Sequence, residues 1–215
     1  MKISPDSKVL FIGDSITDTG RARPNGEGSW DALGTGYVRE ISTLLAATYP
    51  AHNLHCVNMG ISGNTVRDLK NRWQTDVLDQ KPDWLSIMIG ANDCWRQFDR
   101  GYMKHIQVGP EEYAGTLDAL ITQTKPGLKG LVLITPFFLD LHKADKMRAR
   151  IDEYGDLVRG LASKHDAILV DSQAAFDAIL QDVHGYLLSG DRVHLNPLGS
   201  VVLARAFLKA IGYEW

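Results

Sequence analysis

Cysteine is scarce: the 215 residues contain two, Cys56 and Cys94, at a spacing that fits neither a disulfide framework nor a C-x-x-C pair. Both fall in or beside apolar strand-like runs, so free thiols and a reducing, cytoplasmic setting are expected. Long hydrophobic runs are missing too, since none approaches the roughly 18 residues of a membrane span. The polar stretch Met1 to Lys8, with only a short apolar run behind it, lacks the pattern of a secretory leader. Nor is there an excess of positive charge. Twenty-three Lys and Arg against 26 Asp and Glu give a net charge of -3, without the basic footprint of a nucleic-acid binder. Neither repeats nor low-complexity tracts nor linkers interrupt the chain, which leaves one domain over residues 1–215 as the expectation. A domain of this size can bury roughly 70% of its unfolded surface and needs no disulfide or metal to fold.

What the chain does have is alternation. Short apolar runs at Lys8–Ile12, Leu54–Asn58, Trp84–Ile89, Gly130–Thr135 and Ala167–Val170 read as buried strands, several of them stopped by Gly or Pro. Between them apolar residues recur at helical spacing: Val38, Ile41 and Leu45; Val66, Leu69, Trp73 and Val77; Tyr113, Leu117, Leu120 and Ile121; Met147, Ile151, Tyr154, Val158 and Leu161. A fifth helix is expected from about Gln173 to Val183. The last has Asn196 as N-cap, Pro197 at its first position and Gly212 beyond its end. Two stretches, Asp18–Gly34 and Trp95–Gly109, read as irregular. Five strands separated by helices imply parallel pairing through right-handed crossovers, hence a three-layer α/β/α sandwich. The flavodoxin-like strand order 2-1-3-4-5 would put the topological switch beside strand one.

Three polar features follow the first three strands at equivalent places. These are Gly13-Asp14-Ser15, Gly60-Ile61-Ser62-Gly63-Asn64 and Gly90-Ala91-Asn92-Asp93. Each has an ordinary reading. Asp14 and Ser15 could cap a helix, Gly63 could serve a tight turn, and Asn92 could close an Asx turn. In the assumed strand order, however, Ser15, Gly63 and Asn92 converge on one crevice. A serine nucleophile needs a base, an orienting acid and donors for the oxyanion. The Gly63 N–H and the Asn92 amide are candidate donors. Among seven histidines, His194 stands apart, in Asp191-Arg192-Val193-His194 just ahead of the last helix. A D-x-x-H spacing can bring the carboxylate to Nδ1 and leave Nε2 free for Ser15. The strand order alone does not bring His194, which follows the far strand, back over the crevice.

The four blocks Gly13–Ile16, Gly60–Asn64, Gly90–Asp93 and Asp191–His194 resemble, in order, those of the GDSL esterases of the SGNH hydrolase superfamily. The G-x-S-x-G elbow of α/β-hydrolases is absent. The stretches Gly20–Pro24, Ala32–Tyr37, Gly63–Asp68, Lys81–Trp84 and Asn92–Gln97 look like one subgroup, the bacterial acetylxylan esterases. The resemblance implies Ser15 as nucleophile, His194 as base and Asp191 as its orienter. It also implies an oxyanion hole of Ser15 N–H, Gly63 N–H and the Asn92 amide, with no cofactor and no metal. Leu195 and the loop His184–Gly190 depart from the subgroup's pattern.

The implied reaction is removal of acetyl groups from acetylated xylo-oligosaccharides or related sugars through an acyl-enzyme, or a broader short-chain esterase activity. Asp14, Trp30, Trp95 and Arg96 are the candidate contacts to the sugar, and Arg21, Arg23 and Tyr102 lie in the same irregular stretches. The expected partner is a small acetylated carbohydrate, with no nucleic acid and no membrane. The aromatic tail Gly212–Trp215 suggests docking on the body or on another copy, hence a homo-oligomer. Two other classes stay open at this point. One is a metal-dependent phosphohydrolase using Asp14, Asp18 and Asp93, the other an anion-binding module built on helix N-termini.

Overall fold

Among the described residues five short strands pair in parallel in the order β2-β1-β3-β4-β5: β1 (Lys8–Gly13), β2 (His55–Asn58), β3 (Trp84–Met88), β4 (Gly130–Ile134) and β5 (Ile168–Val170). The computed structural model describes residues 1–28 and 30–215; Ser29 and the side chain of Trp30 lie outside the described residues. Parallel strands are covered on both faces, and the continuous burial of β3 from end to end reflects this. In register, Val9 of β1 lies opposite Cys56 of β2 and Trp84 of β3. The carboxyl ends of the three strands that precede the polar blocks therefore lie side by side.

Among the described residues eight α-helices surround the sheet: α1 (Ser15–Asp18), α2 (Tyr37–Thr48), α3 (Val66–Trp73), α4 (Ala91–Asp99), α5 (Pro110–Thr124), α6 (Lys146–Lys164), α7 (Ser172–Ile179) and α8 (Pro197–Ala210). α2 packs on α8, which also meets α7, while α5 lies between α3 and α6, with α4 against α6. The result is the expected α/β/α sandwich. Under α2 and α8, Phe11 of β1 meets Phe207 and Tyr37, with ring centroids 5.4 and 6.2 Å apart. Between α5 and α6, Tyr113 and Tyr154 pack with centroids 4.7 Å apart, each hydroxyl bonded to a backbone carbonyl.

Two expectations need correction. The segment from Trp95 is not irregular at its start, because α4 runs from Ala91 to Asp99. Its inward residues include Asn92 and Asp93 as well as Ala91 and Cys94, so its buried face lacks an apolar stripe. α7 also ends at Ile179, short of Val183. Within the other irregular stretch, Gly26 forms a bridge with Asn58, and the Asn58 amide donates to the Thr17 and Leu33 carbonyls. That stretch is pinned along the end of β2.

The tail docks on its own body. Tyr213 is buried against Tyr49, and Trp215 stays largely exposed beneath the Arg205 guanidinium. Among the described residues no helix is long and apolar enough to cross a membrane. Cys56 and Cys94 are both buried free thiols.

Candidate active site

β1 ends at Gly13, and the chain turns at once into the single-turn helix α1. Asp14 caps that turn, its Oδ1 accepting from Ile16 N–H at 3.0 Å, which presents Ser15 at the first helical position. The capping reading of this block and the nucleophile reading thus describe adjacent residues of one turn. Asp14 is itself 1% exposed. It shapes the turn from beneath instead of facing a ligand. Burial raises its carboxyl pKa to about 6, against the pull of the Ile16 N–H and the nearby His194.

The loop after β2 brings Gly63 to the same edge. Gly63 has φ +84, and a Cβ placed there would meet no atom of the described residues within 4 Å. Conformation, not crowding, selects glycine at this position. Neither Gly63 N–H nor Ser15 N–H donates to an acceptor among the described residues. Asp18 holds the loop beside it, taking both Ser62 N–H and Ser62 Oγ–H at 2.9 Å while Arg23 binds both its oxygens. Burial works against that carboxylate, yet these bonds keep its pKa below the ordinary range.

After β3, Asn92 sits in the first turn of α4. Its Nδ2 donates to the Asn64 carbonyl at 3.1 Å, and its Oδ1 accepts from Arg96 Nη2 at 3.2 Å. The neighbouring Asp93 is fully buried. Its Oδ1 accepts from Val66 N–H at 3.0 Å, tying α4 to the start of α3, and its Oδ2 has no partner among the described residues. Burial drives the Asp93 carboxyl up to about 7.

The return of His194 over the crevice depends on a chain of contacts from the far side of the sheet. Arg148 of α6, 1% exposed, is bonded to Asp177 of α7, to Asp152 and to the Asp140 carbonyl. Gln173 holds Phe138 through both N–H and C=O. The strut formed by the loop after β4 then receives the Asp191–His194 turn. Leu139 N–H donates to the Arg192 carbonyl at 3.0 Å, Arg192 pairs with Asp140 at 2.8 Å, and its guanidinium lies 4.8 Å from the Phe138 ring centre. Arg192 has φ +70, a left-handed conformation in the middle of that turn.

At its end, His194 Nε2 lies 2.9 Å from Ser15 Oγ, and Nδ1 lies 2.6 Å from Asp191 Oδ2. Asp191 Oδ1 accepts from the N–H groups of His194 and Val193 and from Ser189 Oγ. Partial burial alone would raise its pKa, but the bonds from His194, Val193 and Ser189 outweigh burial and hold it at about 2. An ionised Asp191 requires the proton on Nδ1, so Nε2 is the acceptor facing the Ser15 hydroxyl. His165 also has a carboxylate partner, Asp118, and His55 has Glu27. His194 alone among the three stands between a carboxylate and a serine hydroxyl.

These groups open onto a cleft of about 490 Å³ lined by Ser15, Thr19, Ser62, Gly63, Asn92 and Trp95, with Arg96 and His194 also on its wall. The Trp95 ring lies 5.9 Å from the His194 ring. Of the other residues expected to meet a sugar, Arg21 is buried and serves as an internal strut. Its Nε donates to the Gly60 carbonyl at 2.7 Å, and its Nη1 to Ala22 and Pro24. Arg23 is taken up by Asp18, Tyr102 is 84% exposed and off the cleft wall, and the Trp30 side chain lies outside the described residues. Asp14, Asp18 and Asp93 do not form a cation cage. Asp18 is engaged by Arg23 and Ser62, and no group of three or more His, Cys, Asp or Glu among the described residues could hold a metal ion.

Two supports escaped the sequence reading. Arg72 of α3 donates to the carbonyls of Gly13 and Met59 and to Asn64 Oδ1, and it pairs with Asp76. The Arg148–Asp177 pair is the other. An arginine among polar neighbours on a helix reads as solvated, and no local signal marks either of them.

The chain is 54% identical over 215 residues, all of it and 98% of the relative, to the acetylxylan esterase of Geobacillus stearothermophilus. The solved structure of that enzyme, Axe2, superposes with a TM-score of 0.99 at 53% identity, covering 100% of this chain and 98% of the other. Its solved forms include three described as catalytic mutants, S15A, D191A and H194A. LAE5, an α/β hydrolase from the metagenome of Lake Arreo, matches with a TM-score of 0.97 at 50% identity over 99% of this chain and 98% of its own. Residues 11–202 match the model of the GDSL-like lipase/acylhydrolase family, and the chain belongs to that family.

Proposed function

We propose that this chain is a serine carboxylesterase that removes acetyl groups from acetylated xylo-oligosaccharides or closely related sugars. The observation that carries the reading is the continuous relay from Ser15 Oγ through His194 to Asp191, opening on a cleft with unspent donors. Kinship with the G. stearothermophilus acetylxylan esterase supports the substrate class.

In this reading Ser15 Oγ attacks the acetyl carbonyl carbon while His194 Nε2 takes its proton. The carbonyl oxygen becomes an oxyanion facing Ser15 N–H, Gly63 N–H and the Asn92 amide. Collapse of the tetrahedral intermediate breaks the ester C–O bond, and His194 returns the proton to the departing sugar oxygen. A water molecule then attacks the acetyl-serine by the same route, releasing acetate and restoring the hydroxyl. Asp191 holds the imidazole tautomer and balances the charge that forms on it. The cleft wall at Trp95 is the surface on which we place the sugar. Two buried free thiols support a reducing, cytoplasmic setting. Exposed Tyr186, Leu187 and Trp215 support association into a homo-oligomer, which sedimentation velocity would measure.

The test is a substrate panel of acetylated xylo-oligosaccharides, peracetylated monosaccharides, p-nitrophenyl esters of rising chain length and phosphate esters. Acetate release from the acetylated sugars, abolished in Ser15→Ala and insensitive to EDTA, is expected. Equal turnover of long acyl esters would make it a broader esterase. Activity confined to phosphate esters would overturn the reading.

A further inference from the structure

An amide can serve an oxyanion only through its nitrogen. A half-turn about the last side-chain bond of Asn92 would present Oδ1 instead, and a carbonyl oxygen repels a developing negative charge. Two partners of opposite polarity hold Asn92 in one sense. The Asn64 carbonyl accepts from Nδ2 at 3.1 Å, and Arg96 Nη2 donates to Oδ1 at 3.2 Å. A carbonyl cannot face Oδ1 and a guanidinium cannot face Nδ2, so the orientation is assigned by chemistry and not by shape. One N–H of Asn92 is then left over for the cleft.

Arg96 is placed for this by its element. It lies one helical turn after Asn92 on α4, the i, i+4 spacing at which two side chains meet. A second pairing, with Asp99 one turn further on, tethers its other nitrogen. Its side chain is 24% exposed, so the positive charge is partly shielded from water where it meets the amide. A bond from a charged donor is stronger than a neutral one and withdraws electron density from the amide, which makes the free N–H a better donor.

We infer that Arg96 is a positioning residue for the oxyanion hole: its guanidinium on Asn92 Oδ1 fixes and polarises the amide that meets the oxyanion. The inference rests on the esterase reading and changes the part Arg96 takes in it, from a contact to the sugar to a support of the reacting centre. Arg96 acts in the transition state and not on the bound sugar, so its loss changes kcat and leaves KM.

The experiment measures kcat and KM of the full chain and of Arg96→Met, Arg96→Lys, Asn92→Ala and the double variant, with p-nitrophenyl acetate and an acetylated xylo-oligosaccharide. Arg96→Met should lower kcat about tenfold on both esters with KM within about twofold, since the amide is misoriented but present. Arg96→Lys should recover part of the loss. Arg96→Met added to Asn92→Ala should cost nothing further, because both act through one amide. Thermal unfolding midpoints check that each variant is folded, and the Lys variant carries the comparison if the Met variant is not. A rise in KM confined to the sugar ester, with kcat unchanged, would overturn the inference and restore a sugar contact; so would additive losses in the double variant. Ser15→Ala separates the two levels: if it keeps its activity the esterase reading fails, whatever Arg96 does.

Discussion

Arg72 donates through Nη2 to the carbonyl oxygen of Gly13 at 2.9 Å, fastening a helix that follows β2 to the last residue of β1. From the same guanidinium, Nε reaches Asn64 Oδ1 at 2.7 Å, so the Ser15 turn and the Gly63 loop hang from one side chain. Arg72→Met should leave the Gly13 and Met59 carbonyls and Asp76 without their partner, costing about 2–4 kcal/mol of stability. Urea denaturation measures the loss. A kcat that falls in the same variant at temperatures where it remains folded would show that the spacing of the two loops matters to the reaction.

Gly63→Ala isolates backbone strain from packing. A Cβ there meets no atom of the described residues within 4 Å, yet φ +84 is the left-handed region, which costs a non-glycine residue about 1–2 kcal/mol. The expected result is a stability loss of that size together with a lower kcat, since relaxing φ turns the Gly63 N–H away from the cleft. Unchanged kcat would remove that N–H from the oxyanion hole.

For Asp191→Asn we expect a fall in kcat on the order of 10⁴, the scale of the corresponding change in serine proteases, because the amide can present the wrong group to Nδ1. Asp191 stays ionised down to about pH 2. The acid limb of kcat/KM in the unaltered chain should therefore carry no step from Asp191 until about pH 2. The kcat of the unaltered chain and of the variant on p-nitrophenyl acetate checks the loss.

Buried Asp93 makes stability depend on pH in the unusual direction. Its folded pKa of about 7 lies above the ordinary carboxyl value of 3.8, so the folded chain holds a proton that the unfolded chain releases. That contribution is complete below pH 4 and disappears as the pH rises through 7; Asp14, raised to about 6, adds to it over the same window. Asp93→Asn keeps an acceptor for Val66 N–H without the charge. Its stability measured between pH 4 and 8 should fall less with rising pH than that of the unaltered chain, and a parallel decline would refute the assignment.

Trp95→Ala should raise KM for an acetylated xylo-oligosaccharide several-fold more than for p-nitrophenyl acetate, since an aromatic wall contributes roughly 1 kcal/mol or more to a sugar ring packed on it. Equal changes on both esters would make Trp95 a neighbour that orients His194 and not a sugar surface.

Five apolar runs, three of them stopped by Gly or Pro, separated by segments of helical period, were enough to predict a parallel sheet, because burial on both faces leaves a local composition that no distant partner has to supply; the order 2-1-3-4-5 does not follow from them and entered as the flavodoxin-like pattern. The same holds for the blocks at Ser15, Gly63 and Asn92, each next to its strand end, and for Asp191 and His194, three residues apart on one turn. Helix α4 was illegible because its buried residues, Ala91 to Cys94, mix polar and apolar side chains and form no apolar stripe. The supports were illegible for another reason. Arg72 meets Gly13 across 59 residues, and Ser15 meets His194 across 179, through a strut of Arg148, Gln173 and Arg192 that bridges the far side of the sheet. Such pairings are chosen by the path of the folded chain, and a charged side chain in a sequence looks the same whether it ends in water or on a buried carbonyl. Which residues could do the chemistry was thus written locally. Their approach to 2.9 Å, and the Asn64 carbonyl that meets the Asn92 amide across 28 residues, were set by contacts between distant parts of the chain.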